Sequence, residues 1–175
     1  MVEPDADEVG RVRDYLLAQG EKYSWLDLWP RVIAGRLDFL DAISDVNSEQ
    51  AAFQPGGDVW SIAEVGHHVL QASRNVQKVV RSLSAGGAAP AGNVDPPREP
   101  ARTPWDSLSH SIREDSVRLA ALIDGLPEPP SLDAMSPHPF FGDLHARAWY
   151  LFQRVHDQDH AQQVLANKSI DAYPS

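Results

Sequence analysis

Two histidines four residues apart are the most chemically suggestive feature of this chain. His156 and His160 lie within residues 149–164, a stretch whose pattern of apolar residues predicts a helix. At about 1.5 Å of rise per residue, the two imidazoles lie roughly 6 Å apart along one helical face, where both can bind one metal ion. Exposed or hydrogen-bonded histidines give the same spacing, so the pair predicts a metal site only if another segment supplies a further ligand.

Two adjacent histidines on an earlier predicted helix offer that further ligand. Adjacent helical positions point about 100° apart, so only one of His67 and His68 can face the core squarely. His68 shares its face with Val65 and Ala72, whereas His67 shares its face with Lys78, which favours water. We therefore predict that His68 is the third ligand and that His67 is a solvated or hydrogen-bonded surface residue.

Three imidazoles from two facing helices define a chemistry but not a single reaction. They suit zinc, nickel or a similar divalent ion and leave one coordination position for water or a substrate. Metal-bound water ionises near pH about 7, and a bound external thiol can be held as thiolate. The chain contains no cysteine, so any reacting thiol has to come from outside. The alternative is a non-catalytic bundle with a structural or vestigial metal site that acts in dimerisation or partner binding.

Composition limits the class of protein and the class of partner. A length of 175 residues with 42% hydrophobic content predicts one domain over residues 1–175. The formal net charge is −10, from 25 acidic and 15 basic residues, and no basic cluster is present. Nucleic acid and anionic membrane surfaces are therefore not expected as partners, which leaves a small-molecule substrate. The acidic first ten residues do not resemble a signal peptide, which predicts a cytoplasmic protein.

Hydrophobic periodicity predicts an all-α fold, a four-helix bundle with an extra short helix at the N-terminus. The four bundle helices are predicted over residues 25–43, over residues 61–83, from just after Thr103, and over residues 143–167. The short peripheral helix is predicted over residues 6–19. The connecting residues 44–59 and 86–100 are polar or rich in glycine and proline, which predicts a linker and a mobile loop, and the five prolines of residues 126–139 exclude a regular helix or a central strand there.

Local signals predict where two of these helices begin and which residues they bury. Ser61 and Glu64 are spaced as a capping box at the start of the second bundle helix. Thr103 is predicted to cap the third bundle helix, with Pro104 in its first turn. The predicted core stripes are Trp29, Ile33, Leu37 and Leu40 on the first bundle helix, and Leu108, Ile112, Leu119 and Leu122 on the third.

Four acidic residues near these motifs are not predicted to bind the metal. The capping box already accounts for Glu64, and we favour this role over that of ligand or general base. Asp115 falls among apolar positions, where a boundary residue is favoured over a partner for a ligand histidine. Asp157 and Asp159 point sideways from the two neighbouring histidines and are expected to be solvated.

The remaining histidines are not predicted to bind the same ion. His145 lies roughly 16 Å along the helix axis from His156, so a position at the surface is favoured over one at a pocket mouth. His138 lies in a stiff aromatic segment that forms either a pocket wall or only a well-packed turn. His110 shares its face with polar residues and is assigned no role.

Two segments of the chain resemble signatures of one family. Residues 60–64, Trp-Ser-Ile-Ala-Glu, followed by His68, are similar to the second-helix signature of the DinB-like (YfiT-type) metalloprotein superfamily. Residues 138–142, His-Pro-Phe-Phe-Gly, followed by Trp149, His156, His160 and Gln163, are similar to the last-helix signature of one branch. In that branch a histidine often directly precedes the last ligand, whereas this chain has Asp159.

This resemblance carries its own expectations about fold and chemistry. It implies a four-helix bundle, often a homodimer, whose three histidines bind a divalent metal that is commonly zinc or nickel. The matching positions are His68, His156 and His160. It also implies an S-transferase that uses a low-molecular-weight thiol such as bacillithiol or mycothiol, or a thiol-dependent isomerase. The resemblance gives no role for Gln163.

Overall fold

The computed structural model describes residues 6–92, 94 and 96–175, and these residues form an all-α bundle with one very small sheet. The helices are α1 (Ala6–Lys22), α2 (Trp25–Ala42), α3 (Ser48–Ala52), α4 (Ile62–Ser84), α5 (Trp105–Ala120) and α6 (Ala146–Lys168). A 3-10 turn spans Leu122–Gly125, and the two strands are β1 (Met135–His138) and β2 (Gly142–His145). The predicted all-α four-helix bundle is confirmed, with α2, α4, α5 and α6 as its four helices, and the extra N-terminal helix α1 is about as long as α5.

The last helix, α6, is the central element of the bundle. It packs against α2 and α4, while α5 packs against α4 and also contacts α2. Trp149 and Val164, near the two ends of α6, are fully buried. Each end of α6 therefore belongs to a hydrophobic cluster, which includes Leu28 and Val76 at one end and Phe39, Val65 and Ile112 at the other. Burial of these apolar side chains holds α4 and α6 side by side.

The N-terminal helix is an integral part of this packing and not the peripheral element that was expected. Leu16 on α1 is fully buried and belongs to the same cluster as Trp149. Close approach depends on Gly20, because a Cβ there would lie 3.0 Å from the backbone nitrogen of Ala148. A glycine at this position lets α1 lie against the start of α6.

The predicted core stripe of α2 is wrong by a rotation of the helix. Leu37 is 57% exposed, and Trp29, Ile33 and Leu40 are only half-buried. The inward face instead carries Leu28, Val32 and Phe39, together with Arg36. Apolar residues lie on both sides of α2, so its periodicity does not choose between two inward faces. Packing against α6 makes that choice.

The predicted N-terminal cap is confirmed for α4 and is wrong for α5. The amide of Glu64 donates to Ser61 Oγ at 3.2 Å, and the amide of Ser61 donates to Glu64 Oε2 at 2.8 Å, so the predicted capping box is confirmed. Thr103 does not cap α5, whose N-cap position is Pro104. The indole of Trp105 anchors that start by donating to the Val46 carbonyl at 2.7 Å. The predicted α5 stripe is buried as expected.

Two connecting segments contain short regular elements that were not predicted from the sequence. Residues 44–59 include α3, which has its own capping box between Asn47 and Gln50. Residues 135–145 form a two-stranded antiparallel ribbon in which Met135 pairs with His145 and His138 pairs with Gly142. Each strand has one neighbour, so a proline is tolerated there. The last helix consequently begins at Ala146, three residues later than predicted.

None of the helices in the described part of the chain combines the length with the hydropathy that crossing a bilayer requires.

Candidate metal centre

The packing of α4 against α6 brings three histidine rings into one buried cluster. The ring centroids of His68 and His156 are 5.1 Å apart, those of His68 and His160 are 4.7 Å apart, and those of His156 and His160 are 4.4 Å apart. Each residue is only 6–7% exposed. One ring nitrogen of each lies within 4.8 Å of those of the other two, so the three could hold a metal ion together.

Hydrogen bonds to the outer sides of two rings determine which nitrogen faces the centre. Nδ1 of His68 donates to the carbonyl of Pro96 at 2.8 Å, and Nδ1 of His160 donates to Gln163 Oε1 at 2.9 Å. A proton on Nδ1 leaves a lone pair on Nε2. Nε2 of His68 therefore faces the centre of the cluster, 3.0 Å from Nε2 of His156. Such outer partners are typical of metal-binding histidines, and they supply the role for Gln163 that the sequence did not.

The third ring, His156, lies beside a buried carboxylate. Asp157 Oδ1 is 3.8 Å from Nδ1 of His156. Arg36 binds both oxygens of Asp157, with Nε at 2.8 Å from Oδ2 and Nη2 at 3.2 Å from Oδ1, and Gln153 Nε2 donates to Oδ1 at 2.7 Å. Burial raises the pKa of Asp157, but its interactions with Arg36 and His156 together lower it by more, so this pKa lies below its usual range. The expectation that Asp157 is solvated is wrong because Arg36 neutralises it inside the core.

The same arginine connects to a second buried acid. Asp115 is fully buried, and its Oδ2 lies 3.6 Å from Nη1 of Arg36. It also accepts from Ser73 Oγ at 2.6 Å and from Gln77 Nε2 at 3.2 Å. The favoured boundary position for Asp115 is therefore wrong. Sequence reasoning missed Arg36 altogether, although an arginine three residues before Phe39, on the same apolar face, signals a buried partner.

The surroundings of His160 favour a neutral imidazole that can accept a cation. Burial, followed by the charges of His156 and His68, lowers the pKa of His160 to about 3. Its ring is therefore neutral at pH 7, as a metal ligand requires. Two nitrogens bound tetrahedrally to zinc at 2.0–2.1 Å lie about 3.3 Å apart, which is close to the 3.0 Å between Nε2 of His68 and Nε2 of His156. Three imidazole nitrogens suit a divalent ion, and the spacing of this one pair fits it.

Aromatic rings surround the cluster on two sides. Trp60 lies edge-on to His68 with centroids 5.2 Å apart and is stacked near His160 at 6.4 Å. On the other side, the centroid of Phe152 is 5.5 Å from that of His156 and 4.4 Å from that of His138. The aromatic segment that contains His138 is therefore packed, through Phe152, against the histidine cluster.

The contacts of His145, His67 and His110 are with residues outside this cluster. His145 is buried, not at the surface as favoured, because it is the N-cap of α6 and its Nδ1 accepts from the amide of Ala148 at 3.2 Å. Burial lowers its pKa. His67 is half-buried and hydrogen-bonded to Gln71 at 2.9 Å, as predicted. His110 is exposed beside Glu114, as expected for a residue without a role in the site.

Two acidic residues near the cluster are not among its potential metal ligands. Asp159 is exposed, as predicted. Glu64 is buried, and in addition to its cap it binds Arg98, whose Nε and Nη2 each lie 3.0 Å from one carboxylate oxygen. Burial raises the pKa of Glu64, but its hydrogen bonds with Arg98 and Ser61 lower it further, so the net shift is downward.

The fold and the cluster together define a class, a helical bundle whose core contains three convergent histidines that could hold a divalent metal ion. The chain belongs to the DinB superfamily, whose sequence model matches residues 33–164. The matched range begins within α2, ends within α6 and includes all three histidines. No curated protein matches the sequence.

Proposed function

We propose that His68, His156 and His160 bind one divalent metal ion, most readily zinc or nickel, and that the protein is a metal-dependent enzyme. The observation that carries the proposal is the convergence of three buried ring nitrogens within 4.8 Å of one another. Imidazole nitrogen is a preferred donor for both zinc and nickel.

The chain's own residues would orient the ligands and keep water from their outer sides. The Pro96 carbonyl and Gln163 hold Nδ1 of two rings, so Nε2 of each is presented to the ion. Trp60 and Phe152 cover ring faces of the cluster. A metal ion held by three protein ligands supplies Lewis acidity and lowers the pKa of a water or thiol in its open position.

The reaction that we propose is the activation of water or of a low-molecular-weight thiol toward a small-molecule substrate. Thiol S-transfer is preferred to hydrolysis because family resemblance favours it. The thiol is external, bacillithiol or mycothiol for example, since the chain contains no cysteine. We assign no general base, because Glu64 is already bound to Ser61 and Arg98. The homodimer and the cytoplasmic location that the sequence suggested stay predictions.

Elemental analysis of the purified protein tests the metal site directly. We expect about one zinc or nickel per chain, and we expect its loss in His68→Ala, His156→Ala and His160→Ala. The matched controls are His67→Ala, half-buried on the same helix, and His110→Ala, which is exposed. Equal metal content in the wild-type protein and the His68→Ala variant would refute the site.

Cobalt substitution separates an enzyme from the non-catalytic alternative. If the ion has an open position, adding bacillithiol or mycothiol to the cobalt-loaded protein adds thiolate-to-cobalt charge-transfer absorption. Thiol transfer is then measured with a chromogenic electrophile such as 1-chloro-2,4-dinitrobenzene, and hydrolysis with 4-nitrophenyl acetate. A stoichiometric ion whose spectrum responds to neither thiol, with no turnover above the His68→Ala level, indicates a structural metal site instead.

A further inference from the structure

The short segment that contains Pro96 and Arg98 lies along the first turns of α4 and contacts it at two points. The Pro96 carbonyl accepts from His68 Nδ1 at 2.8 Å. Two residues later, Arg98 binds Glu64 through Nε and Nη2, each at 3.0 Å from a carboxylate oxygen. Glu64 and His68 are one helical turn apart on α4. The segment therefore runs antiparallel to the helix, with its two contacts in matched register.

Chain geometry explains why the two contacts depend on each other. Two residues of extended chain span about 6.6 Å, and four residues of helix rise about 6 Å, so the segment and the helix turn have nearly equal length. Pro97 has a fixed φ, and a residue that precedes a proline is restricted to extended conformations. The link from Arg98 to the Pro96 carbonyl is therefore stiff, and holding the guanidinium in place also holds the carbonyl in place.

The contact between Arg98 and Glu64 is stronger than an ordinary surface ion pair. The Glu64 side chain is 8% exposed and that of Arg98 is 32% exposed. The arginine fork contacts both carboxylate oxygens, a geometry that lysine cannot reproduce. Arg98 Nη2 also donates to the Val59 carbonyl at 3.3 Å, which ties the segment to the residues just before α4.

We propose that Arg98 is a positioning residue for the metal ligand His68. By binding Glu64 it keeps the Pro96 carbonyl on Nδ1 of His68, which places the proton on Nδ1 and presents Nε2 to the metal. The inference rests on the proposed function, since it concerns the same three-histidine site. It makes a residue that contacts neither metal nor substrate a determinant of metal affinity. Thermodynamic linkage also requires the bound metal to hold the segment in place.

Zinc affinity of Arg98→Met tests the proposal, measured by competition with a chromophoric chelator. We expect the affinity to fall about 10- to 100-fold, the usual effect of losing an outer partner of a metal-bound histidine. Arg98→Lys is expected to fall less, because lysine keeps the charge but not the fork. The matched control is Arg102→Met, an exposed arginine four residues further along the chain, which should stay within about twofold of wild type.

A second variant covers the case in which Arg98→Met does not fold. Glu64→Gln keeps an oxygen for the Ser61 cap but removes the charge that binds Arg98, and it should weaken zinc binding in the same direction. Unfolding of the metal-free variants is measured alongside. A variant that loses stability but keeps wild-type zinc affinity would overturn the proposal, because Arg98 would then be only a structural residue.

Amide hydrogen exchange of residues 98–103 gives a readout that does not depend on activity. In the wild-type protein, zinc should slow exchange in this segment, and in Arg98→Met this metal-induced protection should be largely lost. Zinc binding by wild type with no change in exchange, or equal zinc affinity of wild type and Arg98→Met, overturns the inference and leaves the proposed function intact. Absence of zinc binding by wild type overturns both.

Discussion

Replacing Arg36 by methionine should cost about 3–5 kcal/mol of unfolding free energy, the range measured when one partner of a buried ion pair is removed. Arg36 is 1% exposed and makes two hydrogen bonds to Asp157, of 2.8 and 3.2 Å. Methionine fills much of the same volume without the charge, so the loss reports the uncompensated carboxylate more than a cavity. The melting temperature should fall by about 6–20 °C, since 1 kcal/mol corresponds to about 2–4 °C at this chain length.

The structure also predicts which acid causes the loss. Without Arg36, Asp115 keeps its bonds from Ser73 and Gln77 and lies 3.8 Å from the half-exposed Arg74. Asp157 retains the amide of Gln153 and lies beside His156, but no other cation compensates its charge as closely as Arg36 does among the described contacts. Adding Asp157→Asn to Arg36→Met should therefore recover about half of the lost stability, whereas adding Asp115→Asn should recover little.

Urea unfolding of the metal-free proteins, followed by circular dichroism, measures these differences. An unchanged m value shows that the same surface is exposed on unfolding, so the midpoints can be compared. A loss below about 1 kcal/mol for Arg36→Met would refute the argument that Arg36 compensates a buried charge. Rescue by Asp115→Asn in place of Asp157→Asn would show that the charge is distributed differently between the two acids.

The remaining predictions concern the cluster of three histidines and the start of α4. Zinc at 100 times its dissociation constant should stabilise the wild-type protein by about 2.7 kcal/mol in thermal unfolding, and most of this gain should be absent in His160→Ala, which lacks one of the three nitrogens. Gln163→Leu removes the acceptor for Nδ1 of His160 and should weaken zinc binding about 10-fold or more in chelator competition, with the helix itself unchanged by circular dichroism. Because the pKa of Glu64 is lowered on folding, its carboxylate stabilises the protein above the unfolded pKa of about 4.3, and this contribution disappears as the pH falls through the lower folded value. The unfolding free energies of wild type and Glu64→Gln should therefore differ at pH 7 and converge as the pH is lowered; a difference that stays constant across the acid range would contradict this.

The buried network of Arg36, Asp115 and Asp157 includes a residue of α6, the helix that also carries His156 and His160. Asp157 follows His156 directly, so Arg36 on α2 restrains the helix at the position of a candidate ligand. Pro96 and Gln163 restrain the other two rings. His68 and His160 therefore each have a hydrogen-bonded outer partner, and His156 lies beside Asp157, which Arg36 holds from another helix. A site built this way is held in place before any ion binds.

Features that depend on neighbouring residues in the chain were readable from the sequence. The choice of His68 over His67 followed from helical periodicity, and the spacing of His156 and His160 placed both rings on one face. The capping box of Ser61 likewise needs contacts across only three residues. These features are local, so the geometry of a single helix determines them.

Contacts between distant segments were decided by the tertiary structure. Arg36 and Asp157 are 121 residues apart in the chain, and His68 and Pro96 are 28 residues apart, so no periodicity relates either pair. Leu37 is exposed for the same reason: α2 has apolar residues on both sides, and only the neighbouring α6 selects the inward one. The sequence by itself thus determined the three histidines and their helices. Packing of those helices against one another decided which polar residues surround the rings, because a buried charge is tolerated only where another element supplies its partner.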